Sequence, residues 1–321
     1  TNQLALDDLA RAGVAAFNAP FSNTRSVVEL VISEIIALAR RLGDRNTQMH
    51  HGVWRKSAIG SHEVRGRTLG IVGYGNIGAQ ISVLAEALGL SVMYYDVADK
   101  LPMGNAHRCD SLEELLQSVD VVTVHVDGRA DNKLLFGEQE FSMMRPRSLF
   151  LNLSRGHVVD VAALADNLRT GHLAGAAVDV YPSEPRSGDE PFVSELQSLD
   201  NVILTPHVGG STQEAQIDIG RYVAGKLIDY SERASTSMSV NLPDITTGAT
   251  PGARIGHLHL NMPGIMADLN RLVADHGGNV TYQALATRGE LGYTVLDIDE
   301  TDRELLVDVT RLEGTIRARV L

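Results

Sequence analysis

A glycine-rich turn between a predicted strand and a predicted helix constrains the fold of this chain more than any other feature. Residues 69–73 form a short apolar run, and the turn after it carries the pattern G-x-G-x-x-G at Gly73, Gly75 and Gly78. The first glycine permits the tight turn, the second lets backbone N–H groups approach a pyrophosphate, and the third lets the helix pack on the strand. Asp96 ends the next predicted strand, where a carboxylate accepts both ribose hydroxyls. The sequence therefore predicts a dinucleotide site.

The same aspartate predicts which dinucleotide binds. A carboxylate at the ribose position repels the 2′-phosphate that distinguishes NADP from NAD. We therefore expect NAD as the cofactor, and the alternative is a glycine turn in an unrelated α/β protein.

The pattern around the turn is typical of a doubly wound parallel sheet. Short apolar runs alternate with helical stretches as far as residue 205, whereas the tail follows the order strand, helix, strand, strand, helix, strand. That second order predicts a ferredoxin-like unit. We expect the end of a substrate domain at 1–22, a Rossmann NAD-binding domain at 23–209, a return segment of the substrate domain and a Ser/Thr-rich linker at 210–251, and the ferredoxin-like domain at 252–321.

Composition excludes several classes of protein. Lys and Arg number 28 against 40 Asp and Glu, a net charge of −12, which argues against a nucleic-acid binder. Cys109 is the only cysteine, so no internal disulfide forms and a reducing compartment is favoured. The apolar runs are too short to cross a membrane, the start shows no signal peptide, and no ligand cluster predicts a metal. A cytoplasmic location is expected.

Three ionisable residues follow predicted strands at the edge where ligands of such sheets bind. They are Arg155, Glu184 and His207, and each alone would more often be structural. Oxidation of a secondary alcohol needs a base for the hydroxyl proton, and histidine suits that exchange. Glu184 would stabilise the imidazolium, and Arg155 would hold a substrate carboxylate through its fork of donors.

Three segments carry a resemblance to a known family. The patterns N-x-S-R-G at 152–156, D-V-x-x-x-E-P at 179–185 and T-P-H-x-G-G-S-T at 205–212 resemble the signatures of the D-isomer-specific 2-hydroxyacid dehydrogenases. The resemblance implies that Arg155, Glu184 and His207 are the catalytic residues. It also places Asn76, Ile77, Asp96, Leu153, Ser154, Asp179 and Gly209 at the cofactor, and the predicted NAD-binding set is completed by Tyr74, His125, Arg155, His207 and Gly210. For His125, cofactor lining or packing is expected rather than a role as a second base.

The segment H-L-N-M-P-G at 259–264 opens the first predicted helix of the tail, and G-N-V at 278–280 begins its second strand. With these segments the tail resembles an ACT-type amino-acid-binding domain. In dehydrogenases with such a tail, the resemblance implies that His259, Asn261 and Asn279 bind L-serine at a subunit interface. Met262 departs from the pattern, because arginine is frequent at that position. Two alternatives stay open: a domain kept only for assembly, and a metal site formed by His257 with His259, which share one face of a strand.

The resemblance implies a complete function. This is NAD-dependent oxidation of 3-phosphoglycerate to 3-phosphohydroxypyruvate, the first step of serine synthesis, by a homotetramer assembled through the Trp54 segment and the tails. The family has roughly a hundred residues, about one domain, before the segment matching Thr1, and we expect the substrate phosphate site there. The alternatives are a dehydrogenase for 2-hydroxyglutarate, glycerate or lactate, and a NAD-sensing binding module of the corepressor type.

Overall fold

The chain divides into two compact units, Asn23–Gln216 and a second made of Thr1–Ser22 with Ile217–Leu321. The computed structural model describes residues 4–185, 187–249, 252–299 and 303–321. In these residues the helices are α1 (Leu6–Arg11), α2 (Thr24–Arg40), α3 (Leu42–His50), α4 (Asn76–Ala87), α5 (Leu112–Ser118), α6 (Glu138–Met143), α7 (Val161–Arg169), α8 (Gln213–Arg233), α9 (Ile265–Asp275) and α10 (Arg303–Arg311). The strands are β1 (Thr68–Val72), β2 (Ser91–Tyr95), β3 (His107–Arg108), β4 (Val121–Val124), β5 (Ser148–Asn152), β6 (Leu173–Val178), β7 (Val202–Leu204), β8 (Ala253–Leu260), β9 (Val280–Arg288), β10 (Leu291–Ile298) and β11 (Thr315–Val320).

The first unit is a parallel sheet covered by helices on both faces. Its described strands run in the order β3-β2-β1-β4-β5-β6-β7. All residues of β4 and β5 are buried, as expected for strands between two helical layers. One core joins α2 and α4 to the sheet through Val31, Ile35 and Ile81, and the other joins α5, α6 and α7 through residues such as Leu115 and Phe141. The predicted doubly wound fold is confirmed.

A left-handed residue follows the end of α2. The structure ends α2 at Arg40, and Arg41 takes the left-handed conformation with φ 54°. Its guanidinium Nε donates a 3.0 Å hydrogen bond to Asp44. This local ion pair lets an arginine occupy a backbone conformation that usually selects glycine.

The second unit contains an antiparallel sheet in the order β11-β8-β10-β9. Helices α9 and α10 cover one face through a core that includes Leu269 and Leu305. The other face packs Leu258, Tyr293 and Val295 against residues outside the sheet. The predicted ferredoxin-like tail is confirmed.

The predicted linker is wrong for much of its length. Ser235, Thr236 and Asn241 are buried, and the Asn241 side chain accepts a hydrogen bond from the backbone N–H of Ala16 at 2.8 Å. Composition suggested a flexible segment, but hydroxyl and amide side chains can replace a regular backbone ladder when they bond to the main chain. Residues 250 and 251 of the segment lie outside the described residues. No helix in the described ranges is both long and apolar enough to cross a membrane.

Candidate active site

The carboxyl ends of the parallel strands gather the predicted site residues of the first unit along one edge. Asp96 follows β2, His125 follows β4, Arg155 follows β5, Asp179 follows β6 and His207 follows β7. Since these strands are neighbours and parallel, one ligand can contact residues from several of them.

The glycines of the turn have the three geometries that the motif requires. Gly73 has φ +93°, and a Cβ there would lie 2.6 Å from the carbonyl oxygen of His125. A Cβ on Gly78 would lie 2.4 Å from the carbonyl oxygen of Gly73, so this position packs helix against turn. Gly75 has open space where its Cβ would be, and it precedes the uncapped first turn of α4, which begins at Asn76 and Ile77. Free N–H groups therefore face a position suited to a pyrophosphate.

The carboxylate of Asp96 is held by the backbone. One oxygen accepts from the N–H of Tyr74 at 2.8 Å, and the other accepts from the N–H of Ala98 at 2.8 Å. The remaining lone pairs are available to ribose hydroxyls. Tyr74 itself is buried, and its ring stacks on Tyr94 with centroids 3.8 Å apart, so its predicted cofactor contact is restricted to the backbone.

Replacing Asp96 by Asn together with Val97→Arg should shift cofactor choice towards NADP. Asn keeps an oxygen for the Tyr74 N–H but removes the charge, and position 97 is 76% exposed. We expect the ratio of the NADP to the NAD dissociation constant to fall by about tenfold or more, measured by fluorescence titration. Asp99→Asn with Val97 unchanged is the control. An unaltered ratio in the double variant would contradict the role of Asp96.

His207 and Glu184 form a direct pair. The Glu184 carboxylate lies 2.8 Å (Oε2) and 3.0 Å (Oε1) from Nδ1 of His207, and Oε1 also accepts from the N–H of Tyr181 at 3.1 Å. An ionised carboxylate only accepts hydrogen bonds, so Nδ1 carries the proton and Nε2 has the free lone pair. The imidazole is half exposed, which leaves Nε2 accessible to a substrate hydroxyl.

Asp179 holds the loop that carries His207. One carboxylate oxygen accepts from the Thr205 hydroxyl at 2.6 Å and the Val208 N–H at 2.8 Å, and the other accepts from the Gly209 N–H at 2.8 Å. His207 has φ 54°, a conformation that needs such support. Asp179 was predicted to contact the cofactor. In the structure its carboxylate is buried and positions the loop around His207, with Thr205 as a partner that the sequence analysis did not single out.

Arg155 is exposed at the tip of a rigid turn. The Asn152 side chain accepts from the N–H (3.1 Å) and the hydroxyl (2.8 Å) of Ser154 and donates to the carbonyl of Arg155 at 3.1 Å. A Cβ on Gly156 would lie 1.9 Å from the carbonyl carbon of Tyr181, so only glycine fits there. These contacts fix the backbone of Arg155, and Leu153 and Ser154 are buried beneath it.

His125 cannot serve as a second base. Burial lowers the pKa of its imidazole to about 3, and Nε2 lies 2.8 Å from the Thr123 hydroxyl. The ring is therefore neutral, which leaves the predicted cofactor-lining or packing role. Gly210 lies against Asn23, where a Cβ would be 2.4 Å from the Asn23 amide nitrogen.

Glu34 is a buried carboxyl that the sequence analysis missed. It lies on α2, is 3% exposed, and neither of its oxygens has a hydrogen-bond partner among the described residues. Burial, and secondly the charge of Asp179, raises its pKa from 4.5 to about 8. The sequence around Glu34 does not show that its carboxyl is buried, because a single polar residue in an apolar helix normally faces solvent.

The three residues predicted to bind L-serine do not lie close together within one chain. His259 is buried, with Nδ1 2.8 Å from the Leu260 carbonyl and Nε2 3.0 Å from the Thr294 hydroxyl, and burial lowers its pKa. Asn261 and Asn279 are exposed at opposite ends of β10, because Leu260 pairs with Leu291 and Val280 with Ile298. The two ends are seven residue-to-residue steps apart, or about 23 Å at about 3.3 Å per step.

The two histidines of β8 lie side by side. The rings of His257 and His259 are 4.9 Å apart, and each ring contacts a threonine hydroxyl. No group of three potential metal ligands occurs in the part of the chain that the structure describes.

Comparison with known proteins gives the family. The D-isomer specific 2-hydroxyacid dehydrogenase NAD-binding domain matches residues 32–209, and the AHAS small subunit-like ACT domain matches 255–317. D-3-phosphoglycerate dehydrogenase of Escherichia coli is 49% identical over 100% of this chain and 79% of its own length. D-3-phosphoglycerate dehydrogenase 1 of Saccharomyces cerevisiae is 43% identical over 96% and 68%, respectively. The solved structure of D-2-hydroxyisocaproate dehydrogenase has a TM-score of 0.69 at 25% identity, covering 75% of this chain and 76% of that one.

The chain belongs to the D-isomer-specific 2-hydroxyacid dehydrogenase family. It is an NAD-dependent dehydrogenase with a C-terminal ACT domain, and its relatives over essentially the whole chain are D-3-phosphoglycerate dehydrogenases. The predicted family, fold class, cofactor and enzyme class are confirmed.

Proposed function

We propose that this chain oxidises 3-phosphoglycerate to 3-phosphohydroxypyruvate with NAD, the first step of serine synthesis. The observation that carries the proposal is the 43–49% identity, over 96–100% of the chain, to proteins named for this activity. The His207–Glu184 pair at the carboxyl edge provides the base that alcohol oxidation needs. The function predicted from the sequence agrees with the names of these relatives.

The three candidate catalytic residues divide the work of the reaction. Nε2 of His207 accepts the proton of the substrate C2 hydroxyl as the C–H bond at C2 breaks, and Glu184 stabilises the resulting imidazolium. Arg155 binds the substrate carboxylate through its fork of N–H donors. The glycine turn and Asp96 would hold NAD, which would supply the hydride acceptor for the reaction.

Within this proposal each segment has a place. Residues 23–209 bind NAD, residues 1–22 and 210–251 belong to the substrate domain, and residues 252–321 regulate. The enzyme works in the cytoplasm. The proposed tetramer uses the segment around Trp54, whose side chain is 79% exposed and is flanked by exposed Val53 and Ile59.

Initial rates with NAD test the substrate. For the full-length protein, we expect kcat/KM for 3-phosphoglycerate to exceed the values for D-lactate, D-glycerate and D-2-hydroxyglutarate by at least about a hundredfold, because analogues that lack the phosphate leave the charge of the phosphate site unpaired. A higher value for any of these analogues would replace the proposed substrate, and no turnover with any would favour a NAD-sensing module.

We also infer that L-serine binds between the tails of two subunits. Asn261 of one chain and Asn279 of a second chain can meet if the tails pair about a two-fold axis, since the two amides lie at opposite ends of β10. Amide groups match the charged ends and the hydroxyl of serine. Serine must then bind the less active arrangement more tightly in order to inhibit.

Asn279→Ala should raise the L-serine concentration for half inhibition by about tenfold or more, because the buried effector would lose a hydrogen-bonding partner. The measurement is initial rate against L-serine, with D-serine in parallel. Asn270→Ala, on the exposed side of α9, is the matched control and should leave inhibition unchanged. Equal inhibition of the parent and Asn279→Ala would contradict the site. If L-serine inhibits neither the parent nor Asn279→Ala, Met262→Arg is the next variant to test.

A further inference from the structure

A cavity of about 340 Å³ lies at the edge of the parallel sheet opposite to the catalytic residues. A second cavity of about 430 Å³ adjoins it, and both are lined by Gly60, His62, Arg67 and Arg147. These residues lie near the amino-terminal ends of β1 and β5, whereas Arg155 and His207 follow the carboxyl ends of strands. The length of a five-residue strand, about 17 Å, separates the two edges.

Four arginine side chains line the two cavities. Arg41 and Arg145 have carboxylate partners, Asp44 at 3.0 Å and Asp120 at 3.3 Å. In the described ranges, Arg67 and Arg147 have no carboxylate within ion-pair distance. Their guanidinium groups donate to backbone carbonyls instead, Arg67 to Glu63 at 3.1 Å and Arg147 to Gly171 at 3.4 Å. Asp120 also lines the second cavity, but its carboxylate accepts from Arg145 and from the Thr68 N–H, so the guanidinium groups of Arg67 and Arg147 have no carboxylate of their own.

The hydrogen bond that Arg147 donates at the end of α7 does not use the full donor capacity of its guanidinium group. Its bond to the carbonyl of Gly171, just after α7, is long, and a guanidinium has five N–H donors. Arg147 also has φ 67°, and its own N–H donates to the carbonyl of His172 at 2.6 Å. A non-glycine residue in this conformation persists only where its surroundings impose it, which is frequent at ligand sites.

Ser148 follows Arg147 and also lines the second cavity, but its hydroxyl oxygen is buried, so the arginines and not Ser148 would contact a ligand there. An anionic oxygen in the cavity would accept the free N–H groups of the two arginines.

We propose that the cavity at the amino-terminal edge binds a small phosphorylated anion. A tetrahedral phosphate accepts hydrogen bonds from several directions, as donors from Arg67 and Arg147 would provide, whereas a planar carboxylate is satisfied by one guanidinium fork. The volume falls at the lower end of small-molecule sites, which fits a compact phosphate ester or a diphosphate and not a whole dinucleotide.

Calorimetric titration of the NADH-saturated full chain with pyrophosphate tests the site. Saturation with NADH keeps the probe out of the glycine turn, and constant ionic strength removes non-specific charge effects. Arg147→Gly removes the guanidinium and tolerates the positive φ, and Arg67→Gln removes the other charge. We expect each to weaken pyrophosphate binding by about tenfold or more, and the NADH dissociation constant to stay within about twofold.

The controls separate this site from other anion sites. Arg65→Gln removes an exposed charge that lies close in sequence but does not line the cavity, so pyrophosphate binding should persist. Arg155→Gln should also retain it. Three results would overturn the proposal: loss of pyrophosphate binding in Arg155→Gln, equal binding to the parent and to both cavity variants, or no binding to the parent. Citrate binding as tight as pyrophosphate binding would overturn the assignment to phosphate. A change of oligomer mass in the cavity variants without anion binding would make the cavity a subunit contact.

Discussion

His207→Ala should lower kcat for 3-phosphoglycerate oxidation by at least about a hundredfold, because general base catalysis by a positioned side chain contributes about 10²- to 10⁴-fold. The ring is held by Glu184 at 2.8 Å, so the base is already oriented before substrate binds. The NADH dissociation constant should change little, since the dinucleotide is bound mainly through the glycine turn and Asp96. Steady-state rates and fluorescence titration measure the two quantities separately.

The matched controls address geometry and charge. Glu184→Gln keeps a hydrogen-bonding side chain opposite Nδ1 but removes the charge that stabilises the imidazolium, so its loss in kcat should be smaller than that of His207→Ala. His50→Ala, on exposed α3, should retain the parent rate. Wild-type turnover by His207→Ala would refute the role of the imidazole, whatever the substrate.

The fold was predictable because its signals are local and mutually consistent. Glycine spacing, the acid after the next strand and buried apolar runs all specify the same parallel sheet. The linker prediction failed because composition does not show where a hydroxyl or amide side chain finds its partner. Asn241 bonds to Ala16, which is far away along the chain.

The site was predictable at the level of residue type but not of contact. Periodicity placed Arg155, Glu184 and His207 at one edge, and the resemblance implied their roles. It did not show that Asp179 accepts three hydrogen bonds from the loop around His207, because that arrangement depends on the relative positions of β6 and β7. The separation of Asn261 from Asn279 likewise follows from strand register, which the order of elements alone leaves undetermined.

The second large effect concerns pH and stability, and it originates at Glu34. Its carboxyl is buried on α2 near Asp179, and the pKa is raised from 4.5 to about 8. Between these values the folded chain keeps a proton on Glu34 that the unfolded chain releases. The free energy of unfolding therefore falls as pH rises through this window, at up to about 1.4 kcal/mol per pH unit.

Glu34→Gln should remove this dependence. The amide cannot ionise, so the free energy of unfolding of the variant, relative to that of the parent, should rise by about 3 kcal/mol between pH 5 and pH 8. The variant should be the more stable of the two at pH 8. Urea unfolding followed by circular dichroism at pH 5, 6.5 and 8 gives both curves.

Glu29→Gln is the matched control on the same helix. Glu29 is exposed and paired with Arg25 at 2.6 Å, and the loss of such a surface pair changes stability by at most about 1 kcal/mol. Its effect should be nearly the same at pH 5 and pH 8, because both values lie above the ordinary pKa of an exposed glutamate. If Glu34→Gln and Glu29→Gln showed the same pH dependence as the parent, Glu34 would be ionised in the folded chain, and a partner for its charge would have to lie within reach of α2. A flattened profile in Glu34→Gln alone would establish that a neutral carboxylic acid lies near Asp179, which holds the loop around His207.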